Sequence, residues 1–263
     1  MKIPFYKYQG TGNDFILIDN RNSGVEEFKQ SVIAGYCQRK FGVGADGLIL
    51  LQNKVGFDFE MIYYNADGNI GSMCGNGGRC IVAFANYLGL IKNKKANFLA
   101  VDGPHIAYVN SSDYVELKMI DVSVKSYDPN YIFLDTGSPH HIEFVPELDG
   151  FDVYKKGKEI RYNTIYNTKG TNVNFVEVMG SQSIKVATYE RGVENETLSC
   201  GTGVTAAAIA YHLNQSMDNT VLPVNVHTKG GQLKVKFQYK NKLFSDIWLC
   251  GPALQVFKGE IDF

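Results

Sequence analysis

Cys74-Gly75-Asn76-Gly77-Gly78-Arg79 and Cys200-Gly201-Thr202-Gly203-Val204 are the two segments on which the fold turns. Each runs into an apolar stretch of small residues, Ile81 to Leu88 after the first and Thr205 to Leu213 after the second. Each therefore reads as a Cys-Gly turn opening a helix. Helices that are apolar nearly all round belong in the middle of a domain, wrapped by sheet. A cysteine at such a start sits at the positive end of the macrodipole, which favours its thiolate. Two of them, about half a chain apart, suggest matched work. Removing a proton from one face of a carbon and delivering one to the other needs such a pair.

Outward from these segments the chain repeats itself with a shift of 125 or 126 residues. Gly12-Asn13-Asp14-Phe15 falls on Gly137-Ser138-Pro139-His140, and Ala45-Asp46-Gly47-Leu48 on Gly170-Thr171-Asn172-Val173. Asn65-Ala66 falls on Glu190-Arg191, Cys74-Gly75 on Cys200-Gly201, and Val101-Asp102-Gly103 near Thr228-Lys229-Gly230. The alternating segments between these markers predict strands at 3–8, 15–19, 48–51, 57–64, 98–101, 106–109 and 114–119. A helix is predicted over 26–36. The second half predicts strands at 131–135, 141–145, 174–178, 183–189, 224–227, 232–239 and 243–249 around its own Cys-Gly helix. The expected fold class is α+β: two pseudo-symmetric domains, each a curved, mostly antiparallel or mixed sheet round a central helix. The domains are expected at 1–122, joined by a returning tail at 251–263, and at 123–250, with the active site in the cleft between them.

Composition fits this. The 263 residues are 44% hydrophobic and 20% charged, an ordinary globular mix with enough chain for two cores. A formal net charge of −1 gives no field to recruit nucleic acid or an anionic membrane. No apolar run approaches the roughly 18 residues of a membrane span, and the first residues lack the apolar core of a signal peptide. Five cysteines are odd in number and match no zinc spacing, which points to free thiols in a reducing, cytoplasmic setting without a metal. The Gly-rich stretches match neither a phosphate loop nor a dinucleotide fingerprint.

Cys37, Cys80 and Cys250 read as small buried hydrophobes. Cys74 and Cys200 differ, because each precedes a glycine at a helix start whose backbone N–H groups lack helical partners. Such amides form an anion site, able to hold a carboxylate beside a thiol and to stabilise charge that develops on it. Arg191 offers a fork for a second carboxylate and Glu190 an acidic partner for an ammonium. Asn13, Asn65 and Asn172 sit in turns, with amides that both donate and accept. His140, opposite Phe15 in the repeat, is placed to tune a cysteine as a hydrogen-bond or charge partner.

Taken together, Gly12-Asn13-Asp14-Phe15, Asn65-Ala66-Asp67-Gly68, Met73-Cys74-Gly75-Asn76-Gly77, Glu190-Arg191-Gly192 and Cys200-Gly201-Thr202-Gly203 resemble the diaminopimelate epimerase family, in order and over essentially the whole chain. The cysteine segments alone would also admit other racemases of that superfamily, proline racemase-like enzymes among them. The resemblance implies a cofactor-independent homodimer that interconverts L,L- and meso-diaminopimelate in lysine and peptidoglycan precursor synthesis. It implies Cys74 and Cys200 as acid and base, and Gly75, Asn76, Gly201 and Thr202 as a cradle for the reacting carboxylate. It implies Asn13, Asn65, Asn172, Glu190 and Arg191 as substrate contacts, with Glu190 and His140 tuning the thiols. Three departures stand out. Ser138 replaces the usual Asn before Pro-His, Gly47 stands where many members carry Gln, and the segment before Cys200 is one residue longer.

Overall fold

The protein is described by a computed structural model over residues 2–22, 29–111, 113–166, 169–215 and 223–262. It divides into two compact units, residues 1–117 with 251–263, and residues 118–250. The division at Leu117/Lys118 lies ahead of the boundary expected at 122. Met119 already donates its N–H to the Ile247 carbonyl, and Val122 already pairs with Phe244.

In the first unit, strands β1 (Lys2–Gly10) and β2 (Asn13–Asp19) form a hairpin. Helix α1 (Gln30–Cys37) leads to β3 (Gly47–Gln52), parallel to β2, and β4 (Phe59–Asn65) returns antiparallel to β3. Helix α2 (Gly75–Tyr87) follows, then β5 (Lys95–Ala100) parallel to β4, and β6 (Gly103–Ser111) and β7 (Tyr114–Lys118) in antiparallel succession. The second unit begins with the short strands β8 (Val122–Ser123) and β9 (Ser126–Tyr127). Its hairpin is β10 (Ile132–Asp135) and β11 (Pro139–Phe144). Helix α3 (Val153–Arg161) leads to β12 (Asn172–Gly180), parallel to β11, and β13 (Ser183–Glu190) returns antiparallel. After β14 (Asn195–Thr197) comes helix α4 (Gly201–Asn214). Strand β15 (Val224–Thr228) is parallel to β13, with β16 (Gly231–Lys240) and β17 (Leu243–Pro252) antiparallel beyond it. The tail forms β18 (Leu254–Asp262) and pairs antiparallel with β1 along its length, from Lys2↔Asp262 to Gln9↔Leu254.

The two halves are thus the same path drawn twice, and the pairing register carries the repeat. Phe15 pairs with Gly47 as His140 pairs with Asn172, and Leu48 pairs with Tyr64 as Val173 pairs with Tyr189. One marker moves. The turn glycine Gly103 corresponds to Gly231 rather than Gly230, since each closes a hairpin, against Ala100 and Thr228, with positive φ (125° and 140°). Val101 consequently sits in the turn and not in the strand.

The helices explain why the central strands are apolar on both faces. In β2 and β3, Ile16, Ile18, Leu48 and Leu50 pack with Ile33 and Cys37 of α1. The alternate residues Phe15 and Ile49 approach α2 at Gly77. Every residue of α2 from Gly75 to Ala85 is buried. In α4 the run Val204 to Tyr211 is buried on all sides among Ile142, Val176, Ile184, Leu233, Phe237 and Leu249. Helix α2 is less uniformly apolar than its sequence suggests, because it buries Arg79 completely. That guanidinium donates to the Gly75 carbonyl, to Asn76 Oδ1 and to Thr11 Oγ1. Of the helix predicted over 26–36, residues 26–28 lie outside the described residues, and α1 starts at Gln30. No described helix is long and apolar enough to cross a membrane.

Helix α3 escapes periodicity because it is polar, and its ends are set by local contacts. The Asp152 side chain accepts from Lys155 N–H at 2.9 Å, and Lys158 and Arg161 occupy the last turn. Gly157 sits mid-helix against Tyr189, whose Cβ would lie 2.3 Å from an added methyl carbon. Helix propensity alone favours Gly157→Ala by about 1 kcal/mol. The contact predicts the opposite sign, a loss of about 1–3 kcal/mol from overpacking. Thermal denaturation checks this, and a higher melting temperature for the variant contradicts it.

Candidate active site

Cys74 and Cys200 occupy the N-cap positions of α2 and α4 with almost the same backbone, φ −110°, ψ 122° and φ −115°, ψ 113°. Their carbonyls accept the first helical bonds, from Gly78 at 2.7 Å and Val204 at 2.8 Å. Neither side chain caps its helix, in contrast to Asp152 on α3. The first-turn amides of Gly75, Asn76, Gly201 and Thr202 thus begin two buried helices with no side-chain cap, the arrangement that suits a bound anion. All five cysteines are free; Cys74 is half-buried and Cys200 buried. Burial pushes Cys37 up to about 11 and Cys80 up to about 12, so neither ionises near neutrality.

Around Cys74 the first unit builds a charged lattice. The Cys74 thiol lies 3.5 Å from Asn13 Oδ1, which also accepts from Asn76 Nδ2 at 3.3 Å. Asn13 Nδ2 in turn donates to Asp46 at 2.7 Å. Arg39 bridges Asp46 and Asp14, and the buried Lys7 pairs with Asp14 at 2.7 Å and donates to the Gly44 carbonyl. Burial opposes ionisation of Asp14, but the hydrogen bonds from Arg39 and Lys7 outweigh it and hold the carboxyl down to about 2.

Around Cys200 the second unit builds a neutral relay instead. Cys200 Sγ lies 3.5 Å from Thr202 Oγ1, which lies 2.9 Å from His140 Nε2. Asn174 Nδ2 is 3.0 Å from His140 Nδ1 and also donates to the His141 carbonyl. Thr188 donates to Asn174 Oδ1 at 2.9 Å. Full burial, helped by the charge of Arg191 and opposed by Asp135, pushes His140 down to about 3. Burial therefore holds His140 neutral, in hydrogen-bond contact with Thr202 and Asn174.

The remaining predicted residues fall into separate tasks. Asn172 is buried at the start of β12, donating to Ser138 Oγ at 2.8 Å and to the Pro139 carbonyl, and accepting from Arg191 N–H. Arg191 follows β13, exposed, with Nη1 on the Lys169 carbonyl and no carboxylate partner among the described residues. It lines a cavity of about 430 Å³ with Tyr131, Phe133, Tyr166 and Lys169. Glu190 ends β13 as Asn65 ends β4; Asn65 is exposed, its backbone closing a turn with Asn69. Asn174, Thr188, Asp46, Asp14 and Arg79 were not anticipated. The repeat held the signal for two of them, since strand positions occupied by Ile49 and Tyr63 in the first half carry Asn174 and Thr188 in the second.

Comparison with known proteins settles the family. The diaminopimelate epimerase family model matches residues 5–120 and 132–253. A diaminopimelate epimerase of Flavobacterium psychrophilum is 50% identical over 98% of this chain and 100% of its own length. That of Chlorobaculum tepidum is 42% identical over 96% and 98%. This chain belongs to the diaminopimelate epimerase family. The fold extends further: a Bacillus anthracis phenazine biosynthesis protein of the PhzF family superposes with TM-score 0.79 at 13% identity, covering both chains completely. A probable proline racemase from Agrobacterium radiobacter gives TM-score 0.72 at 13% identity over 99% and 93%.

Two of the three departures from the common epimerase pattern have local reasons. At Gly47 an added Cβ would lie 2.5 Å from the Tyr63 ring and from the Tyr64 carbonyl, so a glutamine has no room there. The extra residue before Cys200 lies in a hairpin turn, because Tyr64 bridges Ile70 while Tyr189 pairs with Glu196. That longer turn holds Glu194 at φ 57°, its carboxylate taking Arg161, Tyr162, Tyr189 and the Gly192 N–H. Ser138 takes up the Asn172 amide.

The buried, neutral His140 sets a pH dependence for this epimerase-family fold. An unfolded histidine binds its proton below pH about 6.5, while the folded His140 refuses it until pH about 3. Stability contributed above pH about 6.5 is therefore lost as pH falls. Between pH about 6.5 and 5 the loss is about 2 kcal/mol, before the carboxylates titrate. His212, lowered by burial, acts in the same direction. Urea denaturation at both pH values measures it, and unchanged stability would refute the assignment.

Proposed function

We propose that this isomerase of the diaminopimelate epimerase family interconverts L,L- and meso-diaminopimelate by a two-base reaction at the α-carbon, using Cys74 and Cys200. The observation that carries this reading is the equivalence of the two cysteines. Each occupies the N-cap position of a buried helix at the same point of the repeat, with almost the same backbone and no side-chain cap. One cysteine, as thiolate, takes the α-proton and becomes a thiol. The C–H electron pair stays on the α-carbon, delocalised into the carboxylate. The other cysteine, as thiol, returns a proton to the opposite face and becomes the thiolate. A thiol suits the task because its ordinary pKa, about 8.5, is close to working pH. The α-proton is far less acidic, so the site must make up the difference. Amides of Gly75, Asn76, Gly201 and Thr202 directed at the carboxylate, together with exclusion of water, supply it.

The distal end of the substrate gives specificity, with Arg191 as its carboxylate fork and Asn13, Asn65, Asn172 and Glu190 reading the remaining polar groups. His140 supports Cys200 through Thr202. The chemistry needs no pyridoxal phosphate, since the two sulfurs and the helix amides supply both the proton transfers and the charge stabilisation. The same reading makes the protein a cytoplasmic homodimer, its free thiols kept reduced.

Incubation with L,L-diaminopimelate in heavy water tests the reading. Deuterium should enter the α-carbon as the meso isomer forms, and Cys74→Ser and Cys200→Ser should each lose at least about a hundredfold in kcat. Turnover of proline in place of diaminopimelate would move the protein to another racemase activity. Arg191→Lys should lower kcat/KM at least about tenfold, because a bidentate fork becomes a point charge. Wild-type kinetics in that variant would remove Arg191 from the site.

A further inference from the structure

We infer that the two thiols are unequal before substrate arrives: Cys200 rests as the thiolate and Cys74 as the thiol, and Asn174 and Thr188 are the positioning residues that set this. The inference rests on the reading of Cys74 and Cys200 as the proton-transfer pair, and deepens it.

The polarity of each hydrogen-bond chain is fixed by groups that can act in only one way. In the first unit, Arg79 can only donate, so Asn76 must turn Oδ1 to it, at 3.0 Å, and Nδ2 towards Asn13. The Asp46 carboxylate can only accept, so Asn13 must turn Nδ2 to it. Asn13 therefore presents Oδ1, an acceptor, to Cys74 at 3.5 Å. A thiol can donate into that oxygen, whereas a thiolate would meet its lone pairs.

In the second unit the His141 carbonyl can only accept, which fixes Asn174 Nδ2 on the side of His140. The Thr188 hydroxyl, donating to Asn174 Oδ1, closes the other side. His140 Nδ1 must then accept, so the single ring proton of the neutral imidazole is on Nε2 and points at Thr202 Oγ1. Either atom of the Thr202–Cys200 contact can be the donor; with its oxygen accepting from His140, the threonine has its own proton to give, and we assign that proton to Cys200 Sγ. A donor aimed at sulfur favours the thiolate.

Charged groups lie around both relays as well. Asp14 and Asp46 oppose a charge on Cys74; the cations Lys7 and Arg39 are engaged with these carboxylates, and Arg79 with Gly75, Asn76 and Thr11. In the second unit Asp135 and Arg191 act on His140 with opposite signs, and Glu190 ends the neighbouring strand.

The asymmetry comes from the repeat itself. An added Cβ at Gly77 would meet Ile49, Met61 and Phe15, while at the equivalent Gly203 it would meet Asn174 Oδ1 at 2.4 Å, His140 and Thr188. Two equivalent strand positions, Phe15/His140 and Ile49/Asn174, are apolar behind one cysteine helix and polar behind the other, where Thr188 completes the relay. The ligand-free enzyme is thus poised to take a proton with Cys200 and give one with Cys74. One diastereomer finds it ready, and the other must wait for the protons to redistribute through solvent.

Thiolate absorbance of the ligand-free protein, titrated from about pH 5 to about pH 9, tests the assignment. Cys74→Ser should keep a thiolate band at neutral pH, and Cys200→Ser should lose it. In the Cys74→Ser background, the near-isosteric Thr188→Val and the harsher Asn174→Leu should each raise the titration midpoint by about one pH unit. A band retained in Cys200→Ser and absent from Cys74→Ser overturns the assignment. An unmoved midpoint in Thr188→Val overturns the role of the relay, whatever happens to the folding of Asn174→Leu. The readout needs no substrate. If the titrations behave as stated while diaminopimelate is not turned over, the reading of the activity fails and the ionisation asymmetry stands.

Discussion

Everything in this protein is arranged around a helix that begins in the interior. The first amides of any helix need partners from outside it, and a capping side chain is the ordinary supply. Helix α3, at the surface, has one in Asp152. Helices α2 and α4 put cysteine there, and the cysteine side chain does not cap. Such a start is tolerable only if the helix is held by burial rather than by its ends, which is why α4 is apolar on every side. The sheet that wraps each helix supplies the stability that the cap forgoes and keeps the amides oriented for an anion.

Duplication solves this problem twice with one backbone but leaves each copy free to choose its side chains. Behind α2 the sheet presents Phe15, Ile49 and Met61, and behind α4 it presents His140, Asn174 and Thr188. Buried polar groups are tolerable only when saturated, because a half-satisfied network costs more than hydrocarbon. The second set is saturated: Asn174 uses both ends of its amide, His140 both ring nitrogens, and Thr188 its hydroxyl. That completeness also fixes the imidazole tautomer, which no isolated histidine does for itself.

Much of this was legible in the sequence, because it is written in spacing. The 125-residue shift survives as an unbroken strand register, Phe15↔Gly47 against His140↔Asn172, and both cysteine helices follow from glycine and small apolar residues. Helix α3 was not legible, since its polar sequence and central Gly157 make sense only once Tyr189 is packed against it. The polar groups packed behind the cysteine helices were harder still. Asn174 reads as one polar residue in an apolar strand until its partners on other strands are known. Arg79 stands in the first Cys-Gly segment, where nothing in the sequence tells that α2 buries it completely. Local pattern tells which face of an element is buried; it does not tell which polar groups will meet there.

The two units also differ in how they hold their polar groups still. In the first, Lys7, Asp14, Arg39 and Asp46 form an ionic lattice that ends on Asn13. Buried ion pairs are poor evidence for stability, since desolvation offsets their attraction. Their value here is orientation, because a carboxylate can only accept and so dictates which end of the Asn13 amide meets Cys74. In the second unit no ionised group enters the relay, and a backbone carbonyl does the dictating. A formal charge placed in that relay would act on the ionisation of Cys200 directly, through a low-dielectric interior. A neutral relay can bias the sulfur while leaving it able to give its charge up, which a group that must alternate between base and acid requires. The lattice can afford its charges because Asn13 stands between them and Cys74, passing on a direction but not a charge.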